Sequence, residues 1–276
     1  MNSSAIISTD QALRLINEVD AIVLDATIDK VNEKIDKSNL ELLPNSLFLD
    51  IEGEFSDHNT ALPHTVLSDH DFTIAAQKLG INQDSTIIVY DRWGIYSSPR
   101  AWWMFRYMGL ESVYVLNGGL PAWKAAGLPI VHEYAEPGDH GNFIAQTQLN
   151  WIIDKSEILQ RLDDPMLQIF DARSAGRFNG TAPEPREGMR SGHIPGSKNI
   201  PFDMVLDEGH LKEKEELEKL FDNKTSLGKE NAFSCGSGIT ASIIGLAAYE
   251  LGKNPIRIYD GSWSDWGSDP LTPIDK

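Results

Sequence analysis

The sequence repeats itself once, and this repeat limits the possible folds more than the composition does. The segment Val113–Trp123 reads VYVLNGGLPAW, and Ile256–Trp266 reads IRIYDGSWSDW, 143 residues further along. In a second pair, Ala21–Ala26 and Met166–Arg173, an apolar run leads into Asp-Ala at an offset of 146 residues. Two generic strand-turn-helix units could give one such pair, but two pairs with nearly the same offset indicate a duplication. We therefore predict two homologous domains.

The chain of 276 residues is long enough for two domains of ordinary size. We predict a first domain over residues 1–135, a polar linker rich in turn-forming residues over 136–150, and a second domain over 151–276. Within each half, short apolar runs alternate with helical patterns, as where the strand pattern Thr86–Tyr90 precedes a helical pattern at Pro99–Met108. This alternation predicts an α/β fold in which each domain is a mainly parallel sheet flanked by helices.

The charge balance excludes some classes of partner. Lys and Arg total 24 and Asp and Glu total 41, which gives a net charge of −17. A surface this acidic repels nucleic acid and anionic lipid, so we expect neither nucleic acid nor membrane as a partner. The N-terminal residues lack the pattern of a signal peptide, and the longest apolar stretch, Ile239–Tyr249, is too short to span a bilayer. We expect a cytoplasmic protein.

The chain has one cysteine, Cys235, which excludes an internal disulfide and a multi-cysteine metal site. Gly236 and Gly238 follow it, and an apolar helical pattern runs from Ser242 to Leu251. Glycines allow a tight turn whose N–H groups can converge on the sulfur at a helix start, an environment that favours a thiolate. A buried structural cysteine is the alternative, and the glycines favour the reactive thiol.

Neighbouring residues separate several thiol chemistries. A phosphatase-type loop carries an arginine at the sixth position after the cysteine, where this chain has Ala241. Dithiol exchange requires a second cysteine, which the chain lacks. The histidines have no metal-ligand spacing, and we expect no metal and no cofactor. Attack of a single thiolate on a sulfur atom, which leaves a persulfide, is the chemistry that the sequence favours.

Several motifs together resemble the tandem-domain rhodanese (sulfurtransferase) family over nearly the whole chain. The loop Cys235–Ala241 resembles the active-site loop of the 3-mercaptopyruvate sulfurtransferases in that family. The other matching motifs follow the family's order along the chain: Arg177-Phe178, Pro183–Arg186, Gly192–Gly196 and Tyr259–Gly267. The resemblance implies a catalytic second domain and an inactive first copy, which carries Asp91–Gly94 where the second has the cysteine.

The resemblance also implies which residues bind the sulfur donor. Arg177 and Arg186 match the family's substrate-binding arginines, and a guanidinium suits a planar carboxylate. Solvent-exposed surface arginines are the alternative. Thiosulfate-preferring relatives carry basic residues just after the cysteine, whereas this loop is neutral there, so 3-mercaptopyruvate is the expected donor. The predicted substrate-binding residues of the loop are Gly236, Gly238, Ile239 and Thr240. Arg173 is expected to form a structural salt bridge instead.

In the family, the serine two residues after the cysteine pairs with a histidine and an acid of the first domain. Ser237 is that serine here, and His64 and Glu52 occupy the positions of the histidine and the acid. The resemblance thus implies Cys235, Ser237, His64 and Glu52 as catalytic residues, the last three as a relay like that of serine proteases. Without the resemblance, His64 would be an ordinary surface-loop histidine. Asp57 and His58 are the alternative members of the relay.

The predicted function is transfer of the sulfur of 3-mercaptopyruvate through a Cys235 persulfide to a thiol acceptor or cyanide, with release of pyruvate. Thioredoxin is the acceptor that the resemblance suggests. Two alternatives stay open. One is a thiosulfate:cyanide sulfurtransferase, and the other is a non-catalytic persulfide carrier.

Overall fold

The structure, a computed structural model, describes residues 4–36, 38–222, 229–254 and 256–276. Residues 1–3 and 37 of the predicted first domain and residues 223–228 and 255 of the predicted second domain lie outside the described residues. The chain divides into two compact units. The first runs to Asp57 and continues with Val66–Gln148 and Glu208–Leu211. The second comprises His58–Thr65, Leu149–Asp207 and the chain from Lys212 onwards. Each unit therefore includes one short segment from the other half of the sequence.

The first unit is a five-stranded parallel sheet with helices. Its strands are β1 (Ile6–Ile7), β2 (Ile22–Asp25), β3 (Ser46–Phe48), β4 (Ile87–Tyr90) and β5 (Val113–Leu116), and its helices are α1 (Thr9–Val19), α2 (Asp69–Lys78), α3 (Ser98–Tyr107) and α4 (Gly119–Ala125). The strand order is β1-β5-β4-β2-β3, and every pair is parallel. All four residues of β4 are buried, as expected for a central parallel strand that is covered on both faces.

The second unit contains another five-stranded parallel sheet. Its strands are β6 (Ile152–Ile153), β7 (Leu167–Asp171), β8 (Lys198–Asn199), β11 (Glu230–Ser234) and β12 (Arg257–Tyr259), in the order β6-β12-β11-β7-β8. The short strands β9 (Leu206–Asp207) and β10 (His210–Leu211) lie outside this sheet. The helices are α5 (Lys155–Gln160), α6 (Ala175–Phe178), α7 (Lys214–Asp222), α8 (Ile239–Glu250) and α9 (Ser262–Trp266). Among the helices of the described residues, none has the length and apolar character needed to cross a bilayer.

The two sheets share one strand order, so that β1 corresponds to β6, β5 to β12, β4 to β11, β2 to β7 and β3 to β8. The repeated sequence segments fall on corresponding elements, since Val113–Trp123 covers β5 and most of α4, and Ile256–Trp266 covers β12 and α9. The predicted duplication, the α/β class and the mainly parallel sheets are confirmed. The helical pattern predicted at Pro99–Met108 is α3, shifted by one residue.

Part of the predicted linker is packed structure. Phe143 is fully buried, its N–H donates to the Ile81 carbonyl (3.1 Å), and its carbonyl accepts from Gln77 Nε2 (2.9 Å). The first compact unit accordingly extends to Gln148. A buried residue among polar neighbours leaves no periodicity in the sequence, which is why the segment resembled a linker. The domain boundaries at residues 135 and 150 stay predictions.

Candidate active site

The candidate site lies at the carboxyl end of the second sheet. β11 ends at Ser234, which pairs in register with Asp171 at the end of β7, and Cys235 follows directly. α8 begins four residues after the cysteine. Gly238, the residue before the helix, has a φ of 84°, a left-handed conformation that glycine adopts without steric cost. The Cys235 loop, residues 235–238, is therefore a tight turn where parallel sheets carry their sites.

The sulfur of Cys235 lies inside this turn. The backbone N–H of Gly238 donates to Sγ over 3.1 Å. Cys235 is 1% exposed, so burial alone does not separate a reactive thiol from a structural one. The N–H contact is made to the atom that carries the charge of a thiolate, and N–H donors at a helix start stabilise such an anion. The geometry agrees with the predicted reactive thiol, whose reactivity stays a prediction.

The backbone of the loop is held by α9 and the residues around it. The Cys235 N–H donates to Ser262 Oγ (3.1 Å), and the Trp263 N–H donates to the Cys235 carbonyl (2.9 Å). The Gly236 carbonyl accepts from both the N–H (3.0 Å) and the hydroxyl (2.6 Å) of Ser264. Ser262 has a φ of 48°, which is uncommon for a residue with a side chain and is often found at functional sites. The motif Tyr259–Gly267 thus fixes the backbone of the Cys235 loop.

A buried cluster of ion pairs lies beside the loop. Arg173 Nη2 is 2.6 Å from Asp171 Oδ2, and Arg173 Nη1 is 2.7 Å from Glu184 Oε1. The other oxygen of Glu184, Oε2, accepts from Nε (3.0 Å) and Nη2 (2.5 Å) of Arg177. The salt bridge predicted for Arg173 is confirmed. Two carboxylates and two guanidiniums offset one another, so the cluster as a whole is close to neutral.

Arg177 packs on the Cys235 loop. A Cβ atom built on Gly236 would lie 3.3 Å from Arg177 Nη2, so the guanidinium covers this glycine and leaves little room for a side chain there. The side chain of Arg177 is 21% exposed, and it therefore remains within reach of a ligand. Because Glu184 offsets its charge, Arg177 offers hydrogen bonds with little net positive charge.

Arg186, the second predicted substrate-binding arginine, is exposed. Its Nη1 donates to Ser264 Oγ (3.0 Å), and the same hydroxyl donates to the Gly236 carbonyl. Within the part of the chain that the structure describes, Arg186 has no acidic partner. Of the two arginines, Arg186 is therefore the one whose charge is not offset.

Ser237 and His64 are brought together. Ser237 Oγ lies 2.9 Å from His64 Nδ1, and both residues belong to the second compact unit. His64 has a φ of 57°, again uncommon outside glycine. This hydrogen bond joins two of the three predicted relay residues. Glu52 belongs to the first compact unit, and its part in the relay stays a prediction.

The structure adds residues that the sequence did not assign. Glu184, Ser262 and Ser264 contact the loop or its arginines, and each lies inside a recognised motif. An acid between two prolines and close to two arginines was the available signal for Glu184. Ile239 and Thr240, by contrast, form the first turn of α8, where the first is buried and the second half-buried.

Comparisons with known proteins agree with this arrangement. The model of the rhodanese-like domain matches the chain twice, at residues 8–126 and 154–269. The thiosulfate/3-mercaptopyruvate sulfurtransferase 1 of Arabidopsis thaliana is 39% identical, over 99% of this chain and 79% of the relative. The 3-mercaptopyruvate sulfurtransferase of Escherichia coli is 36% identical, over 100% of this chain and 99% of the relative. The crystal structure of the 3-mercaptopyruvate sulfotransferase of Escherichia coli matches with a TM-score of 0.84 and 34% identity, over 95% of this chain and 99% of that one. The chain therefore belongs to the rhodanese family and contains two rhodanese-like domains.

Proposed function

We propose that this sulfurtransferase uses 3-mercaptopyruvate as its donor and carries the sulfur as a persulfide on Cys235. One observation carries the proposal. The Cys235 loop has no charged side chain, while the uncompensated charge of Arg186 is joined to it through Ser264. Two full-length relatives are named for 3-mercaptopyruvate, which supports the same donor.

The charge distribution favours this donor over thiosulfate. 3-Mercaptopyruvate has a single negative charge on a carboxylate, and a carbonyl and a methylene group separate that carboxylate from its sulfur. Thiosulfate concentrates two negative charges around the sulfur that is transferred. Since Glu184 offsets Arg177, the uncompensated positive charge of these two arginines lies on Arg186, which is joined through Ser264 to the Gly236 carbonyl rather than to the sulfur. A monoanion with a distant carboxylate matches this pattern, because a guanidinium binds a carboxylate through two parallel hydrogen bonds.

The first half-reaction releases pyruvate. The Cys235 thiolate attacks the donor sulfur, an S–S bond forms, and the C–S bond breaks with its electron pair going to carbon. The leaving group is the enolate of pyruvate, and protonation of its carbon gives pyruvate. The proton lost by the cysteine thiol balances this step, and the hydrogen-bonded Ser237 and His64 carry it. Cys235 is left as a persulfide.

The second half-reaction returns the thiolate. An acceptor thiolate or cyanide attacks the outer sulfur of the persulfide, the S–S bond to Cys235 breaks, and the bonding electron pair returns to the Cys235 sulfur. Thioredoxin is the expected acceptor. The cytoplasm is the expected location, although the Arabidopsis relative is named as mitochondrial.

The intact mass of the protein tests the proposal. After incubation with 3-mercaptopyruvate and no acceptor, the wild-type chain should gain about 32 Da, the mass of one sulfur atom. The Cys235→Ser variant, which differs by one atom, should gain nothing. Absence of the adduct in the wild type refutes the persulfide.

Steady-state kinetics with a thiol acceptor separates the remaining alternatives. The value of kcat/KM should be larger for 3-mercaptopyruvate than for thiosulfate. The reverse order would identify a thiosulfate sulfurtransferase, and an adduct without turnover would identify a carrier.

A further inference from the structure

One hydroxyl group connects Arg186 to the thiol-bearing loop. Ser264 Oγ accepts from Arg186 Nη1 (3.0 Å) and donates to the Gly236 carbonyl (2.6 Å). The N–H of Ser264 makes a second bond to the same carbonyl, and Ser264 is 6% exposed. The position of this oxygen is therefore defined by backbone as well as side-chain contacts. Among the described residues, it is the side-chain group that contacts both the uncompensated cation and the residue next to Cys235.

Without the contact to Ser264, the side chain of Arg186 would have little to restrict its conformation. It is exposed, and it lies among residues 183–188, a stretch with two prolines and a glycine and without regular secondary structure. Ser264 is its hydrogen-bond partner among the described residues. An unanchored arginine samples many rotamers, and ordering it when a ligand binds reduces the affinity. A guanidinium that is already held loses less entropy on binding a carboxylate.

We propose that Ser264 is a positioning residue that sets the affinity for carboxylate-bearing sulfur donors by holding Arg186 beside the Cys235 loop. The proposal rests on the proposed function for the identity of the donor. Because the same hydroxyl binds Gly236 and Arg186, the carboxylate-binding group and the thiol loop keep a fixed separation. The donor needs such a separation, since its carboxylate and its sulfur are joined through only two carbon atoms.

A double-mutant cycle tests whether Ser264 acts through Arg186. Ser264→Ala should raise KM for 3-mercaptopyruvate roughly tenfold, as expected for loss of a hydrogen bond to a charged group, with kcat changed less than about twofold. In an Arg186→Ala background, the same substitution should have no further effect. Ser264→Thr, which retains the hydroxyl, should keep the KM of the wild type. Fold-changes that multiply in the double variant would overturn the proposal.

Alkylation of the thiol gives a readout that does not depend on turnover. Iodoacetate carries a carboxylate and iodoacetamide does not, and Cys235 is the only thiol of the chain. Burial slows both reagents, so the ratio of their rate constants isolates the attraction of the carboxylate. This ratio should fall in Ser264→Ala and in Arg186→Ala, with the double variant equal to Arg186→Ala. An unchanged ratio contradicts the proposal, whereas a reduced ratio in a protein without activity on 3-mercaptopyruvate contradicts only the proposed donor.

Ser268 provides a matched control on the same segment. Its hydroxyl donates to the Ser264 carbonyl (2.6 Å) and to the Asp265 carbonyl (3.2 Å) rather than to the arginine or the loop. Ser268→Ala should therefore leave KM and the alkylation ratio at their wild-type values. If it reproduces the effects of Ser264→Ala, then general disturbance of α9 explains them and the positioning role is rejected.

Discussion

The residue after the central strand differs between the two domains, although the backbone around it is alike. Cys235 follows β11 and Asp91 follows β4, and these strands have the same place in the two sheets. In each domain, the repeated segment (Val113–Trp123 in the first, Ile256–Trp266 in the second) contacts the backbone of the residue after the central strand. The Trp263 N–H donates to the Cys235 carbonyl (2.9 Å), and the Leu120 N–H donates to the Asp91 carbonyl (3.1 Å). The two donors are separated by 143 residues, the offset of the repeat, so the duplication has preserved the contact.

In the first domain, the side chain of Asp91 fills its own loop. Oδ2 accepts from the N–H groups of Tyr96 (2.8 Å), Ser97 (3.0 Å) and Ser98 (2.9 Å) and from the Ser98 hydroxyl (2.7 Å). Oδ1 accepts from the Trp93 N–H (3.1 Å). The carboxyl group is fully buried. The donors that surround this strand end are thus occupied by a permanent internal acceptor.

In the second domain, the loop after the central strand is shorter, and a thiol stands where the first domain has a carboxylate. Seven residues lead from Asp91 to the start of α3, whereas four lead from Cys235 to the start of α8. In both domains, the turn after the central strand provides N–H groups that can bind an anion. The side chain at that turn and the length of the loop determine which group accepts those hydrogen bonds. In the first domain, the Asp91 carboxylate already accepts these hydrogen bonds. In the second domain, the Cys235 thiol can accept a further sulfur atom. We therefore expect the first domain to be non-catalytic.

Moving the thiol to the first domain is the strongest test of this comparison. In the double variant Cys235→Ser and Asp91→Cys, turnover with 3-mercaptopyruvate should fall at least about a thousandfold below wild type, as for loss of a nucleophile. The loop is longer, and Trp93 stands two residues after position 91 where the second domain has Ser237, so a thiol at position 91 lacks that hydroxyl. The measurement is kcat/KM together with intact mass. Substantial turnover in this variant would break the comparison, and Asp91→Cys alone, with Cys235 intact, is the control.

Removing the internal acceptor should destabilise the first domain without affecting the thiol. In Asp91→Ala, buried N–H groups lose their partner, so the free energy of unfolding should fall by about 3 kcal/mol. Urea denaturation measures this change. Asp84→Ala, which removes an exposed aspartate just before β4, should change the free energy of unfolding by less than about 0.5 kcal/mol. Equal stability of the two variants would mean that the hydrogen bonds to Asp91 contribute little.

The sequence predicted what periodicity and recognisable motifs encode. The repeat, the strand-helix alternation and the Cys235 turn lie in short contiguous segments, and the structure confirms them as elements. It did not predict the roles of Glu184 and Ser264, because each acts through contacts that loop residues make after folding. Glu184 binds Arg173 and Arg177, which precede it by 11 and 7 residues, and the Ser264 hydroxyl donates to the carbonyl of Gly236, 28 residues earlier. The prolines and arginines around Glu184 mark the position of an acid, but a single sequence does not show which groups these loops bring into contact after folding.

A substitution of Glu184 gives a third test, which concerns the charge beside the Cys235 loop. If Glu184 offsets Arg177, then Glu184→Gln exposes a second positive charge beside Gly236, and the dianion should gain more than the monoanion. We expect the ratio of kcat/KM for thiosulfate to that for 3-mercaptopyruvate to rise roughly fivefold. Loss of a buried acid also destabilises the fold, so each kcat/KM value is divided by the fraction of molecules that form the persulfide. Glu187→Gln, an exposed acid three residues further on, should leave the ratio unchanged, and a fall in the ratio for Glu184→Gln would reject the offset.

The acids at the ends of β2 and β7 extend the comparison. Asp171 is held by Arg173, which donates to both of its oxygens. Asp25, its repeat partner, accepts from the Tyr134 hydroxyl (2.8 Å) and lies 3.3 Å from Arg92 Nε. Burial raises the pKa of Asp25 above its ordinary value of 3.8, and the hydrogen bond from Thr27 and the charge of Arg92 oppose the rise only in part.

This shift predicts that the stability of the first domain depends on pH. A raised pKa means that the folded protein binds the proton of Asp25 more tightly than the unfolded chain does. The stabilising contribution is therefore fully present below the ordinary pKa of 3.8 and is lost as pH rises through the folded-state value. Relative to Asp25→Asn, the wild type should lose unfolding free energy over that interval, measured by urea denaturation at a series of pH values. Asp20→Asn, which removes an exposed carboxylate at the end of α1, serves as the control. A wild type that gains stability relative to Asp25→Asn as pH rises would mean that Arg92 outweighs burial at this strand end.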